Sequence, residues 1–280
     1  MQNTMTDYDL RVLIFLLCFT SFLSWQSIKP KVIPLKLAPR WGHNFSLFFI
    51  DTLLVRIAQP VILSFIAITA HDGAFLHIIA LDAFPFISLV LAILLLDLAI
   101  YWQHRVSHIS PFLWRIHQVH HTDPQIDIST AVRFHPIEIF LSLLYKAVVI
   151  YVFSIPYEAV LIFDILLNAS AMFNHSNGRL PRVMDTYLRL FLVTPDMHRI
   201  HHSQNPKEAN SNYGFFLSLW DRLFNSYTHD AKEGEQNLKT GHPQYANFFE
   251  KKPEKLTLLF LIKMPFSFKN NKIEAKEHNL

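Results

Sequence analysis

Eight of the sixteen histidines in this 280-residue chain fall in three short words. They are His104-x-x-x-His108, His117-x-x-His120-His121 and, about eighty residues later, His198-x-x-His201-His202. Residues three and four apart on a helix share a face, so the first word aims two imidazoles at one spot and each of the others aims three. Imidazole ligates zinc, copper, iron and nickel. Eight such nitrogens exceed the needs of one ion and suit two ions of about four each, with positions left open. A closed structural zinc would stop at four ligands. Open positions are what oxygen chemistry requires, so iron is expected on chemistry, although affinity order alone favours zinc or copper. The scattered His43, His71, His77, His229, His242 and His278 are read as ordinary packing residues. A single cysteine, Cys18 in an apolar run, excludes disulfides and cysteine-based clusters built within the chain.

Positioning three words so far apart calls for a scaffold, and the composition points to membrane helices. Hydrophobic residues make up 51% of the chain, with 25 Phe against 6 Gly. Charged residues reach only 17%, below the roughly 25% of soluble proteins. Leu10 to Trp25 is apolar. It has no small-x-small cleavage pattern after it, so an uncleaved first span is expected rather than a signal peptide. A basic connector with Lys29, Lys31, Lys36 and Arg40 follows. Phe45 to Ala70 is long enough to cross a bilayer, and Asp51, Arg56 and Pro60 within it suggest an interfacial end or a kink. His71 to Ala83 carries no Lys or Arg, and Phe84 to Tyr101 is the cleanest span, with Asp97 near its end. Ile137 to Ile155 and Glu158 to Phe173 read as a helical hairpin turning at Ser154-Ile155-Pro156, its second arm short enough to be tilted or re-entrant.

The Lys/Arg bias puts the connector in the cytoplasm, and counting spans from it brings all three histidine words to that same side. The expected fold is all-α: an integral membrane helical bundle of about four to five membrane helices, two of them a hairpin. A cytoplasmic helical cap would carry a histidine-rich dimetal site. The expected division is residues 1–83, N-terminal membrane helices and loops; 84–230, the domain with the histidine words; and 231–280, a basic cytoplasmic tail.

From about Leu94 to Tyr227 the chain resembles the membrane-bound fatty acid hydroxylase and sterol desaturase superfamily. HxxxH, a nearby HxxHH and a distant HxxHH after a membrane hairpin are matched in order and spacing. So are Arg133-Phe134-His135-Pro136-Ile137-Glu138, Asn174-His175, Thr194-Pro195-Asp196, Asn212-Tyr213-Gly214 and Trp220-Asp221-Arg222. The resemblance implies a di-iron centre held by His104, His108, His117, His120, His121, His198, His201 and His202, with His175 as the additional ligand. His135, Asp196 and Asp221 are implied as further ligands or as residues that orient ligand imidazoles. It also implies dioxygen as co-substrate, an O2-dependent lipid hydroxylase or desaturase activity, and a fatty acyl, sterol-like or ether-lipid substrate. Zinc could replace iron in recombinant protein. Electrons would come from outside, from a ferredoxin-type or flavoprotein reductase or a reduced pterin, since no fused haem-binding domain is expected. Trp102, Trp114, Phe134 and Phe173 flank the words and could line a lipid tunnel or simply pack.

Other classes fit less well. Nucleic-acid binding would need a basic stripe on a recognisable fold, and none is present. A histidine-rich membrane metal transporter or metal-binding protein remains the alternative, but conduction favours ionisable groups at the bilayer midplane rather than at span ends. A two-haem cytochrome wants single facing histidines. A bacterial inner membrane, with the active site facing the cytoplasm, is the expected location.

Overall fold

A computed structural model describes residues 6–34, 38–69, 84–252 and 255–267. Among these residues the protein is all-α, with three isolated backbone bridges in place of any sheet. The sequence-expected loop 71–83, the end of the basic tail, and His71, His77 and His278 lie outside the described residues.

Among the described residues, four helices are long and apolar enough to cross a membrane. These are α1 (Asp7–Ile28), the Pro39–Ile62 part of α2 (Ala38–Thr69), α3 (Pro85–Ile109) and α5 (Pro136–Phe153), the last two separated in sequence by a short α4 (Pro111–His121). The fold is therefore a membrane helical bundle. The hairpin forms as the sequence suggests. Ser154 adopts the left-handed conformation (φ 50°) that closes α5, and α6 (Tyr157–His175) returns antiparallel to it. Helix α6 is not among the four, because it carries its own polar load. Its Asp164 pairs with Arg11 of α1 and Lys146 of α5, at 2.6 Å each.

Two expectations shift. Arg40 is not in an exposed connector: it sits in the first turns of α2, buried to 3% exposure and paired with Asp123 and Asp127. An Arg can take this place because two carboxylates and the Gln125 carbonyl accept from its two terminal nitrogens. The helix also continues through Asp51, Arg56 and Pro60, so of the two expected alternatives a helix end there is ruled out. Helix α3 likewise passes the end of its apolar run and carries His104 and His108 on its last turns.

Helices α1, α3 and α6 end where α2 and α5 begin, and the remaining short helices gather at that end of the bundle. They are α7 (Arg182–Leu188), α8 (Pro195–His201), α9 (Pro206–Ala209), α10 (Leu219–Leu223), α11 (Pro243–Lys251) and α12 (Leu258–Lys263). Local signals start the three helices that matter most for the site. Ser110 caps α4, His135 caps α5 and Thr194 caps α8, each followed by proline at the first helical position. Asp97, about 18 Å along α3 from Pro85 at 1.5 Å per residue, ties the end layer down. It is fully buried and accepts from the Leu217 amide (3.1 Å) and the Trp220 indole (2.8 Å).

Candidate metal centre

The three histidine words come from three helices that meet at one end of the bundle: α3, α4 and α8. The single residue Ser110 separates α3 from α4, so the chain folds back and the first two words face each other. Ring centroids of His104 and His117 lie 5.0 Å apart, as do those of His108 and His117. Helix α8 closes over them, with His201 4.5 Å from His104 and His202 stacked on His121 at 4.3 Å.

The imidazoles form two groups. One comprises His104, His108, His117, His121 and His201; the other comprises His120, His175, His198 and His202. Within each group one nitrogen per ring lies within 4.8 Å of all the others. The expectation that each HxxHH aims three rings at one spot is corrected by this arrangement. Successive residues on a helix point about 100° apart, so adjacent histidines diverge. The i, i+4 pair stays together and the i+3 member crosses to the other group. Helix α4 gives His117 and His121 to the first group and His120 to the second; α8 gives His198 and His202 to the second and His201 to the first.

Five rings have their orientation and tautomer set by acceptors. Nδ1 of His104 donates to the Tyr213 carbonyl (2.8 Å), that of His120 to Arg133 (3.1 Å), that of His175 to Ala171 (2.7 Å) and that of His201 to Ser211 (2.8 Å). His117 Nδ1 donates to the Glu138 carboxylate at 2.6 Å. Each leaves Nε2 unprotonated and so able to ligate a metal, the arrangement outer partners impose on ligating histidines. The Nε2 atoms of His108, His117, His121 and His201 are buried without any hydrogen-bond partner. In the second group Nε2 of His198 lies 3.0 Å from Nε2 of His175 and 3.2 Å from that of His202. Buried nitrogens left bare or crowded together are costly in a protein that has nothing to satisfy them. A pair of divalent cations would satisfy them, so the residues fit two metal ions. Burial, reinforced by neighbouring imidazoles, holds His120, His121, His198 and His202 well below the ordinary histidine range, and burial pushes His201 down to about 3. All five are neutral at pH 7, the state a metal requires.

The three weaker candidates stand apart from both groups. His135 accepts from the Ile137 amide as the cap of α5, and its Nε2 donates to the Ile262 carbonyl. Asp196 does not hold an imidazole: its Oδ2 takes the Lys31 ammonium at 2.8 Å, because α8 turns that side chain toward the segment after α1. Asp221 acts one step further out. It accepts from the amides of Tyr213 and Gly214 (2.8 and 2.7 Å) and so fixes the carbonyl that holds His104. A Cβ at Gly214 would come within 2.7 Å of Asp221 Oδ2 and 2.8 Å of the Leu217 carbonyl, so only glycine fits there. Phe134 lies flat on His120 at 4.5 Å and Trp114 covers His108 at 4.9 Å, whereas Phe173 packs on Trp25 and Trp102 on Phe224, away from the rings. Sequence reasoning passed over Glu138. Its place two residues after the proline of a matched segment was the available signal.

The sequence has counterparts among known proteins. Residues 89–226 match the model of the fatty acid hydroxylase family. This stretch is a fatty acid hydroxylase domain. It includes every residue of the two histidine groups. The chain is similar to alkylglycerol monooxygenase of Danio rerio, 31% identical over 146 residues, which are 50% of this chain and 30% of the relative. It is similar to ornithine lipid hydroxylase OlsE of Rhizobium tropici, 28% identical over 151 residues (54% of this chain, 45% of the relative). It is also similar to lathosterol oxidase of Mus musculus, 28% identical over 167 residues (59% and 52%). The matched stretches thus cover about half or less of each of these relatives' length. No solved structure matches.

Proposed function

We propose that the protein is a membrane-bound oxygenase that uses dioxygen and external electrons to hydroxylate, or desaturate, a C–H bond of a lipid. The observation that carries this reading is the pair of buried imidazole groups, five and four rings, at the end of a membrane bundle. His104, His108, His117, His121 and His201 would hold one iron, and His120, His175, His198 and His202 the other. Bound iron would supply the reductive activation of dioxygen that an unactivated C–H bond demands. The chain's own contribution is placement. Carbonyls of residues 133, 171, 211 and 213 and the Glu138 carboxylate fix five rings before any ion arrives, which is preorganisation of the kind catalysis needs. Phe134 on His120, Trp114 on His108 and the fully buried Arg133 pack around the site.

The relatives named above act on an alkylglycerol, an ornithine lipid and lathosterol by their names, which supports a polar or neutral lipid of the bilayer as the substrate class. Reducing power comes from a separate donor, a ferredoxin-type or flavoprotein reductase or a reduced pterin. The basic segment after the first span supports a centre at the cytoplasmic face of what we take to be a bacterial inner membrane. Residues 1–83, 84–230 and 231–280 act as anchor, catalytic domain and basic tail. Metal transport is disfavoured because the rings form two enclosed groups at one end of the spans rather than a path along them. The test is expression in a host lacking the protein, followed by mass spectrometry of its lipids under air and under argon. The expected result is an oxygen-dependent lipid that gains one oxygen or loses two hydrogens, absent with His120→Ala. An unchanged lipid profile together with metal flux into vesicles would favour transport.

A further inference from the structure

Outside the ring of histidines, α3, α4 and α5 leave a cavity of about 240 Å³ between them. Its walls are apolar: Trp102 and Val106 from α3, Leu113 and Ile116 from α4, Leu141 and Tyr145 from α5. Trp102, Val106 and Tyr145 are 38%, 42% and 36% exposed, so the mouth opens sideways, on the surface of spans α3 and α5. Trp102 and Val106 lie toward the site end of α3, and Leu141 lies in the first turns of α5. The volume is below the roughly 300–1,000 Å³ of pockets that enclose a whole small molecule, and suits part of one chain.

The inner lining is polar. Gln103, Ser107 and Glu138 share the cavity. Ser107 and Gln103 Oε1 are already bonded, to the Gln103 carbonyl and the Ser142 hydroxyl. Glu138 is different. Its Oε1 takes the His117 proton, and its Oε2 is buried with no hydrogen-bond partner. The cavity reaches this carboxylate, which bonds the Nδ1 face of His117, while the bare Nε2 belongs to the metal group. A ligand here would therefore sit behind a metal ligand.

We propose that this slot binds one alkyl chain of a membrane amphiphile whose hydroxyl donates to Glu138 Oε2. The occupant completes the carboxylate that orients His117 and keeps water from that hydrogen bond. The inference rests on the membrane reading of α3 and α5 and not on turnover. Two sources share this chemistry, the lipid that is oxidised and a lipid that is only resident, and the experiment separates them.

The full-length protein is placed in phosphatidylcholine vesicles containing a long-chain alcohol with a photoactivatable diazirine in its chain, or the methyl ether of the same alcohol. After illumination the attachment sites are mapped by peptide mass spectrometry. The expected result is labelling at residues 102–106 and 141–145, several-fold stronger for the alcohol than for the ether, and equal in metal-free protein. Glu138→Leu abolishes the preference for the alcohol. Leu141→Trp fills the slot and removes the label; it carries the test alone if Glu138→Leu does not fold. Recovery of the bound alcohol oxidised marks the slot as the substrate's, and recovery unchanged marks a resident lipid; either outcome requires the slot. Labels spread over all spans, or indifferent to the hydroxyl and to Leu141→Trp, overturn the proposal. A protein that labels as expected yet oxidises no lipid would refute the proposed function and leave the slot standing.

Discussion

At the scale of the residue, the site depends on acceptors that hold the unused nitrogen of each ring. Glu138→Gln keeps an acceptor near His117 Nδ1 at the distance now 2.6 Å, whereas Glu138→Ala leaves that nitrogen without one. The expected outcome is a drop of about 10–100-fold in metal affinity for Glu138→Ala, the usual effect of losing an outer partner, and a smaller drop for Glu138→Gln. Competition with a chelating dye measures both. His242, outside both groups, reports on pH. Burial beside Trp114 and Tyr245 lowers it to about 4, from an ordinary value of about 6.5. A depressed histidine means the unfolded chain binds more protons between these values. Its contribution is therefore intact above about 6.5 and is lost as pH falls toward 4, at most about 3 kcal/mol. His242→Phe is expected to flatten the acid limb of thermal stability in detergent. The nine ring positions were legible in the sequence because they sit in fixed helical words or in a matched segment. Their partners were not: the bonds to Glu138, Arg133 and Tyr213 span 21, 13 and 109 positions, and no local spacing encodes them. Asp196 misled for the converse reason, since proximity in sequence to His198 says nothing about which way a helix turns it.

At the scale of the element, the segment 213–226 is held to α3 by one carboxylate, Asp97, and held in shape by another, Asp221. Loosening this segment should be felt at His104 through the Tyr213 carbonyl. Asp97→Leu is expected to lower the metal content of the five-ring group while leaving the four-ring group loaded; Asp97→Asn, which keeps one acceptor oxygen, is expected to do less. Elemental analysis of both variants distinguishes them. Arg133 plays a similar part between α2 and α4. Fully buried, it donates to the Val119 carbonyl, Asn44 and Thr122 at 2.8–2.9 Å. Arg133→Leu strands these acceptors and removes a positive neighbour of Asp123, at a cost of about 3 kcal/mol or more. A fall in melting temperature in detergent, followed by size-exclusion chromatography, reads it. The spans and hairpin were legible from apolar length and the Ser154-Ile155-Pro156 turn. The start of α2 was not, because Arg40 looks like a surface charge until Asp123 and Asp127 arrive from more than eighty positions away.

At the scale of the whole molecule, the helices run so that every histidine word emerges at one end of the bundle, and the apolar flanks of α1, α3 and α5 remain exposed along their length. Such a surface is stable only against lipid, which places the two imidazole groups within reach of chains that never leave the bilayer. That all three words share one end followed from counting spans. That they divide five and four did not, because the division depends on how α4 and α8 face each other. The most direct measurement is iron and zinc per chain, by elemental analysis, on protein purified from iron-supplemented cells, beside His117→Ala and His198→Ala. The account predicts about two ions per chain. Each variant should lose one ion, from the five-ring group for His117→Ala and from the four-ring group for His198→Ala. One ion or none in the unaltered protein would contradict it.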